Sequence, residues 1–341
     1  MTKKTRAPTM ADVARRAGVS AMTVSRALKG KGAVTAETSE RIMAAVNELG
    51  YVLDMSAGAL SSKQTGFISV LIPSVNNSNF SETVHGIAEV LCANGKQLLF
   101  GYTDYSRERE EQLIETMLQR RPEGIIVTGG NHTDRARQLL ESAAIPVIET
   151  WDLPENPIDH VVGFSNAATI EDMMARLLFR GYRNIAFIEG DSEEDTRGHD
   201  RRLGYERAVQ TLGLERAHVV SMGDPPITIE QGGPAAVRLL DEWPEVDAVI
   251  CVSDLSAFGV IMECHRRGWS VPGRLAVAGF GDFEVSRYTW PSITTVSVGC
   301  TDIGRKAGTL ILEAIEGGRS GTPVPKQTIT IHHSIIERES T

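Results

Sequence analysis

The chain has 341 residues, 41% of them hydrophobic and 23% charged, which excludes a collagen-like, disordered or disulfide-scaffold protein and is too long for one small module. The formal charge of −9 conceals a division, since residues 1–63 hold 10 Lys and Arg against 5 Asp and Glu while the remainder holds 25 against 39. A polyanionic partner is therefore expected only of the basic head, because phosphate would be repelled by the acidic body. No apolar run reaches the ~18 residues of a membrane span, and Met1 to Met10 lacks the apolar stretch of a secretory signal, so the expected compartment is the cytoplasm. Cys92, Cys251, Cys264 and Cys300 have no C-x-x-C spacing and read as small core residues, with no metal and no cofactor implied.

The first predicted helix runs from Met10 to Ala17, capped by Thr9 with Asp12 as the acidic partner of a capping box and stopped by Gly18. Ser20 caps a second helix through Leu28. A third, from Ala36 to Leu49, places Ile42, Ala45, Val46 and Leu49 on one stripe that closes a small core with Val13, Ala17, Val19 and Val24. Two helices joined by three residues must cross steeply, which makes a helix-turn-helix unit. Its second helix turns Ala21, Met22, Ser25, Arg26 and Lys29 outward. Recognition helices read base edges from their N-terminal end, so Ala21 and Met22 would meet thymine methyls and Arg26 a guanine or a phosphate. A solvated face is the alternative. Thr9, Ser20, Thr23 and Tyr51 complete the expected DNA-facing set within the head.

Met10-Ala-Asp-Val-Ala-Arg-Arg-Ala-Gly-Val-Ser-Ala-Met-Thr-Val-Ser-Arg26, followed by Val34 and Leu49-Gly-Tyr51, resembles the head of the lactose-repressor family of bacterial transcription regulators, and the resemblance continues to the C-terminus. It implies a sequence-specific regulator, read most readily as a homodimeric repressor that a small molecule releases from a pseudo-palindromic double-stranded DNA operator. It also implies a hinge helix after Tyr51 whose leucine wedges into the minor groove, with Ala57 and Leu60 at the matching places. The chain departs from the family's usual Tyr-x-Pro-Asn with Leu53 and Asp54, and Gly58 weakens a helix by ~1 kcal/mol relative to Ala. A plain flexible linker is the other reading. The expected organisation is a head over 1–50, a hinge over 51–65 and a body over 66–341.

In the body, Phe67 to Pro73, Gln97 to Gly101, Gly124 to Thr128 and Pro146 to Thr150 read as strands alternating with helices. A second set follows at Asn184 to Glu189, His218 to Met222, Ala248 to Ser253 and Leu275 to Gly281. The fold class is thus α/β: an N-terminal all-α helix-turn-helix head plus a two-lobed, periplasmic-binding-protein-like core of parallel sheets with flanking helices. The resemblance implies three crossings between lobes, near Gly163 to Asn166, Ser292 to Thr295 and Pro325 to Thr328. Lobe 1 is then about 66–163 and 295–325, and lobe 2 about 164–292 and 328–341. No further helix is expected after Thr341, which favours a dimer over a tetramer.

Enzymatic readings find little support. Gly279-Phe-Gly-Asp-Phe-Glu284 fails the dinucleotide pattern at its third glycine, and no G-x-S-x-G elbow occurs. His332 and His333 are adjacent in an expected terminal strand, face opposite ways and suit no shared metal. A periplasmic solute receptor, which the lobes alone would resemble, conflicts with the fused head.

Open parallel sheets bind ligands beyond the carboxyl ends of their strands, which directs attention to Ser74 to Phe80, Tyr102 to Tyr105, Thr128 to Thr133, Glu149 to Asp152, Glu189 to Arg202, Ser253-Asp254 and Phe280 to Phe283. By resemblance, Arg201 holds the effector and Ser253-Asp254 replaces the family's Asn-Asp. Gly281 stands where sugar-binding members carry an Asp. A pocket with Arg197 and Arg201 and one anion fewer suits a ligand that brings its own carboxylate. His132-Thr133, Pro146-Val-Ile-Glu149, Asp152, Val162-Gly-Phe164, Asn166 and Arg197 resemble the gluconate-repressor branch, which implies a sugar acid such as gluconate or a ketogluconate; a neutral sugar is the alternative. The expected effector set is Asn79, Phe80, Tyr105, Thr128, His132, Glu149, Arg197, Arg201, Ser253, Asp254, Phe280 and Asp282. For Phe80, core packing and ligand stacking stay open, and Glu149 can equally be a capping or salt-bridged residue.

Overall fold

The structure, a computed structural model, describes residues 6–28, 34–53, 65–190 and 195–341. Two compact units divide it, 1–65 and 66–341. Lys29, Ala57 and Leu60 of the expected DNA-facing set lie outside the described residues.

In the first unit, α1 (Met10–Ala17), α2 (Ala21–Leu28) and α3 (Ala36–Leu49) enclose Val13, Ala17, Val24, Ile42 and Ala45. Gly18 ends α1 in the left-handed conformation at φ 68°, where a β-carbon is strained. Arg41 ties α3 to α1 by donating to the Ala17 carbonyl at 2.5 Å. Tyr51 completes this core and is only 8% exposed, so its ring packs within the head.

The second unit holds two six-stranded sheets. The first takes β1 (Phe67–Ile72), β2 (Gln97–Tyr102), β3 (Gly124–Thr128), β4 (Val147–Thr150) and β5 (His160–Gly163), interleaved with α4 (Ser78–Ala93), α5 (Arg107–Gln119) and α6 (Asp134–Ser142). After the crossing at Phe164, the second takes β6 (Ile185–Glu189), β7 (Val219–Ser221), β8 (Ala248–Cys251), β9 (Ala276–Phe280) and β10 (Thr294–Ser297). Its helices are α7 (Asn166–Phe179), α8 (Thr196–Thr211), α9 (Ile229–Glu242), α10 (Asp254–Arg267) and the short α11 (Glu284–Tyr288). The chain then returns as α12 (Cys300–Ser320), which packs along α4, and adds β11 (Thr328–Thr330) to the first sheet before β12 (Ser334–Ile336) closes the second. The sheet orders are β11-β5-β4-β3-β1-β2 and β12-β10-β9-β8-β6-β7, parallel throughout except for β12 on β10. Strands buried on both faces read as continuous apolar runs such as Phe67-Ile-Ser-Val-Leu-Ile72, which is why most were legible.

Two crossings differ from expectation. Thr294–Ser297 pairs with β9 and therefore belongs to lobe 2, and Thr328–Thr330 pairs with β5 and belongs to lobe 1. The chain changes lobes at about 298–299 and 331–333, a few residues later than the sequence suggested. His332 and His333 lie in that last connection rather than in a strand, and His333 pairs with Asp172 at 2.8 Å. Cys92 is exposed, unlike the other three cysteines, which are buried as expected.

Helices α4 and α12 approach closely because glycines face backbone. A β-carbon on Gly304 would stand 2.1 Å from the Thr83 carbonyl oxygen, and one on Gly86 would stand 2.3 Å from that of Thr301. Gly318, farther along α12, has open space around it. Gly304→Ala should therefore lower the unfolding free energy of the body by ~1 to 3 kcal/mol through overpacking. Gly318→Ala should raise it by ~0.5 to 1 kcal/mol through helix propensity alone. Urea unfolding of the two variants checks both signs, and equal effects would contradict this packing.

Candidate functional site

The head presents an outward face on α2. Met22 is 65% exposed, Ala21 and Arg26 are exposed beside it, and Thr23 and Ser25 are half-buried at its edges. Ser20 starts the helix by accepting from the Thr23 amide at 3.1 Å, and its hydroxyl lies 2.9 Å from that of Thr23. Thr9 donates from its amide and its hydroxyl to Asp12, at 3.0 and 2.7 Å, and these bonds hold the Asp12 carboxyl down at about 2. The fixed helix start and the exposed Arg26 side chain leave a small apolar and cationic surface of the kind that enters a major groove.

In the body a cleft opens between the carboxyl ends of the two sheets. Asn79 and Phe80 reach it from the start of α4, Tyr105 from the loop after β2 and Trp151 from the end of β4. From the other lobe come Asp195 before α8, Arg197 and Arg201 on its first turns, Ser253 after β8 and Phe280 at the end of β9. Seven expected effector residues are thus brought together: Asn79, Phe80, Tyr105, Arg197, Arg201, Ser253 and Phe280. Phe80 resolves both ways, since it packs on Trp151 at 4.9 Å between centroids and also lines the cleft.

The two arginines are held differently. Arg201 lies 4.0 Å over the Phe280 ring, donates from Nε to Asn166 Oδ1 at 3.1 Å and from Nη1 to the Val252 carbonyl at 2.8 Å. Burial pulls its pKa down, to about 10, so it stays charged at neutral pH. Arg197 is 6% exposed and approaches the Phe80 ring at 5.5 Å. Its Nε and Nη2 both stand 3.0 Å from Asp195 Oδ1, and its Nη1 is buried without a partner. Burial opposes ionisation of Asp195, but the two guanidinium groups outweigh it and hold this carboxyl below its usual range. Burial pushes the Tyr105 phenol up, leaving it a neutral donor and acceptor. Trp151 and Asp195 fell within loops read as cleft-lining but carried no motif that singled them out.

The other five expected residues are elsewhere. Thr128 donates to the Leu71 carbonyl at 2.9 Å, securing β3 to β1. His132 is sandwiched between Glu110, 2.8 Å from Nδ1, and Glu149, 3.6 Å from Nε2. Burial alone would lower its pKa, yet the two carboxylates raise it to about 9, so it is an internal cation. Glu149 is fully buried and accepts from the Ile158 amide at 2.7 Å, which places it in loop support. Asp282 pairs with Arg287 and Arg338 at 3.1 and 2.5 Å and does not line the cleft. Gly281 has φ 120°, and a β-carbon there would lie 2.4 Å from Asn79 Nδ2 across the cleft. Its missing carboxylate therefore reflects packing and says nothing about ligand charge.

Asp254 is fully buried and accepts from the Phe283 amide at 2.8 Å, from Ser286 at 2.5 Å and from Thr295 at 2.6 Å, so it ties α10 to the following turn. Burial raises its pKa to about 6 despite those three donors. Between the ordinary value of 3.8 and about 6 the folded protein keeps a proton that the unfolded chain has released. This group's contribution therefore falls as pH rises through that window and is level above it, a loss of up to about 3 kcal/mol. In Asp254→Asn the neutral amide can keep the same partners, because the Thr295 hydroxyl can reverse its role. Urea unfolding should show the variant gaining on the wild type between pH 4 and 6.5; a gap independent of pH would contradict the assignment.

Two family models match the chain: residues 9–54 match the bacterial regulatory proteins of the lacI family, and residues 174–341 match the periplasmic binding protein-like domain. The HTH-type transcriptional regulator GntR of Pseudomonas aeruginosa is 36% identical over 340 residues, covering all of this chain and 97% of the relative. The HTH-type transcriptional regulator IdnR of Escherichia coli is 33% identical over 306 residues, 89% of this chain and 91% of the relative. The crystal structure of a LacI-family transcriptional regulator from Silicibacter pomeroyi superposes with a TM-score of 0.89 at 32% identity, covering 98% of this chain and 99% of that one. With a helix-turn-helix head and a two-lobed body of the matching kinds, the chain belongs to the lacI family of bacterial regulatory proteins and is a DNA-binding transcriptional regulator, not an enzyme.

Proposed function

We propose that the protein is a repressor, acting as a homodimer in the cytoplasm, that a sugar acid of the gluconate or ketogluconate type releases from a pseudo-palindromic operator. The observation that carries the effector class is Arg197 Nη1, a cationic donor buried in the cleft without a partner. An unsatisfied charged donor is costly to bury, and a ligand carboxylate meets that need better than a hydroxyl. Arg201 is committed to Asn166, Val252 and Phe280, so its role is to position the cleft and supply charge. Polar groups at Asn79, Tyr105 and Ser253 suit the hydroxyls of the same ligand, and Phe80 and Phe280 suit its carbon chain.

Release follows if the ligand favours one arrangement of the lobes. Arg201 belongs to lobe 2 and Asn166 sits at the first crossing, while Asn166 Nδ2 donates at 3.1 Å to the carbonyl of Trp151 in lobe 1. A ligand on Arg197 would lie beside the Phe80 ring of lobe 1 as well as on lobe 2, and only its differential affinity for the lobes' arrangements moves the equilibrium.

Two measurements test this reading. In gel shifts at fixed salt, Arg26→Ala should lower operator affinity by ~1 to 3 kcal/mol, with little change in nonspecific binding. By calorimetry, Arg197→Ala should weaken gluconate binding about tenfold or more, the worth of a charge-assisted hydrogen bond, while effector-free operator binding is retained. Gluconate affinity unchanged in Arg197→Ala would sink the carboxylate assignment.

A further inference from the structure

We propose that Trp151 is a positioning residue of the switch: it lines the effector cleft and is hydrogen-bonded toward two crossings between the lobes, so it carries the state of the cleft to both. The inference rests on the sugar-acid reading above only for the identity of the ligand.

The two ends of the residue are tied in different directions. Its carbonyl accepts from Asn166 Nδ2 at 3.1 Å, just beyond the first crossing, and Asn166 Oδ1 accepts in turn from Arg201 Nε of the cleft at 3.1 Å. Its indole Nε1 donates to Thr83 Oγ1 at 3.2 Å, and that hydroxyl stands 2.9 Å from the Asn79 carbonyl and 3.1 Å from the Cys300 carbonyl. Cys300 begins α12 directly after the second crossing. The third crossing is joined to the first, because the Ile331 amide donates to the Gly163 carbonyl at 2.7 Å. Trp151, Thr83 and Asn166 are all buried, so these bonds cannot be exchanged for bonds to water without opening the core.

The backbone gives a second, independent sign. Trp151 has φ 71°, in the left-handed region that a bulky residue seldom enters. Such conformations persist where the surroundings hold them, and they cluster at ligand clamps and switch regions. Here the Val162 carbonyl holds the Trp151 amide at 3.2 Å, and a β-carbon on Gly163 would stand 2.0 Å from the Asp152 carbonyl oxygen, so the first crossing runs directly against this turn. On the cleft side the indole meets Phe80 at 4.9 Å between centroids, and the Arg197 guanidinium lies 5.5 Å from the same Phe80 ring. A ligand held on Arg197 and Phe80 is therefore within reach of the residue that bonds toward both crossings.

Communication is read as the ratio of D-gluconate dissociation constants with and without operator, which measures coupling between the sites and not the strength of either. Calorimetry on the full-length protein, free and saturated with a DNA duplex that the wild type has selected from random sequence, gives this ratio. Thr83→Val removes the indole's acceptor and the hydroxyl beside the Cys300 carbonyl, and Thr83 does not line the cleft. It should leave gluconate affinity of the free protein within about threefold of wild type while lowering the ratio about fivefold or more. Trp151→Phe, which keeps a ring but loses the N–H, should lower the ratio as far, and Thr83→Ser, which keeps the hydroxyl, should preserve it. A ratio unchanged in Thr83→Val, or lost equally in Thr83→Ser, would make the network plain scaffold and overturn the proposal while leaving the sugar-acid reading in place. A wild type that binds no gluconate would defeat the sugar-acid reading alone. Trp151 would then be judged by its fluorescence, taken as the difference between wild type and Trp151→Phe: emission that changes on operator binding, and no longer does so in Thr83→Val, supports the proposal, and emission indifferent to operator overturns it.

Discussion

Two guanidinium groups, one buried and one half-buried, in one cleft are the constraint around which the body is organised. A buried charge costs several kcal/mol unless it is paired and hydrogen-bonded, and Arg197 is buried and Arg201 half-buried in this cleft. Each is compensated differently. Arg201 is met by two neutral oxygens and the face of Phe280, whereas Arg197 is met by one carboxylate oxygen and by the edge of the cleft. The carboxyl ends of parallel strands bring these groups together, because the loops beyond β4, β6, β8 and β9 converge there from both lobes.

The same groups link recognition to shape. Phe80, Trp151, Phe164 and Phe280 form a line of rings at centroid separations of 4.9, 5.8 and 6.2 Å, running from lobe 1 through the first crossing to lobe 2. Beside it runs the polar connection from the Trp151 carbonyl through Asn166 to Arg201. Packed rings and directional hydrogen bonds do not deform gradually, so this seam resists small changes in the angle between the lobes. Arg197 of lobe 2 and Phe80 of lobe 1 line the same cleft, which is why the proposed function places the effector there.

The architecture was largely legible from local chemistry. Thr9, Gly18 and Ser20 mark helix starts and stops, and apolar runs such as Ile185-Ala-Phe-Ile188 are long enough to place a strand without neighbours. The edge strands Thr328–Thr330 and Ser334–Ile336 are only three residues each and half-exposed, so their sheet is decided by pairing with β5 and β10, which no local pattern encodes. The cleft was legible as a set of loops, but not residue by residue. Polar residues past a strand end look alike in sequence whether they face a ligand or hold the loop. Thr128, His132, Glu149, Asp254 and Asp282 all turned out to hold the loop.

His132 and Arg197 make that distinction physical. Both are buried cations beside carboxylates, and both stand in loops at the ligand-binding ends of the sheets. His132 has a carboxylate on each ring nitrogen, at 2.8 and 3.6 Å, so its surroundings carry more negative charge than it can neutralise. Nothing is left for an anionic ligand, and the cluster stiffens lobe 1. Arg197 has one carboxylate for a three-nitrogen fork, and the nitrogen left over is the one without a partner. His132 Nε2 lacks a hydrogen bond as well, but it stands beside the Glu149 carboxylate inside lobe 1, whereas Arg197 lines the cleft. A buried donor left unsatisfied by the fold destabilises the empty state slightly, and under the proposed function a ligand carboxylate recovers that cost.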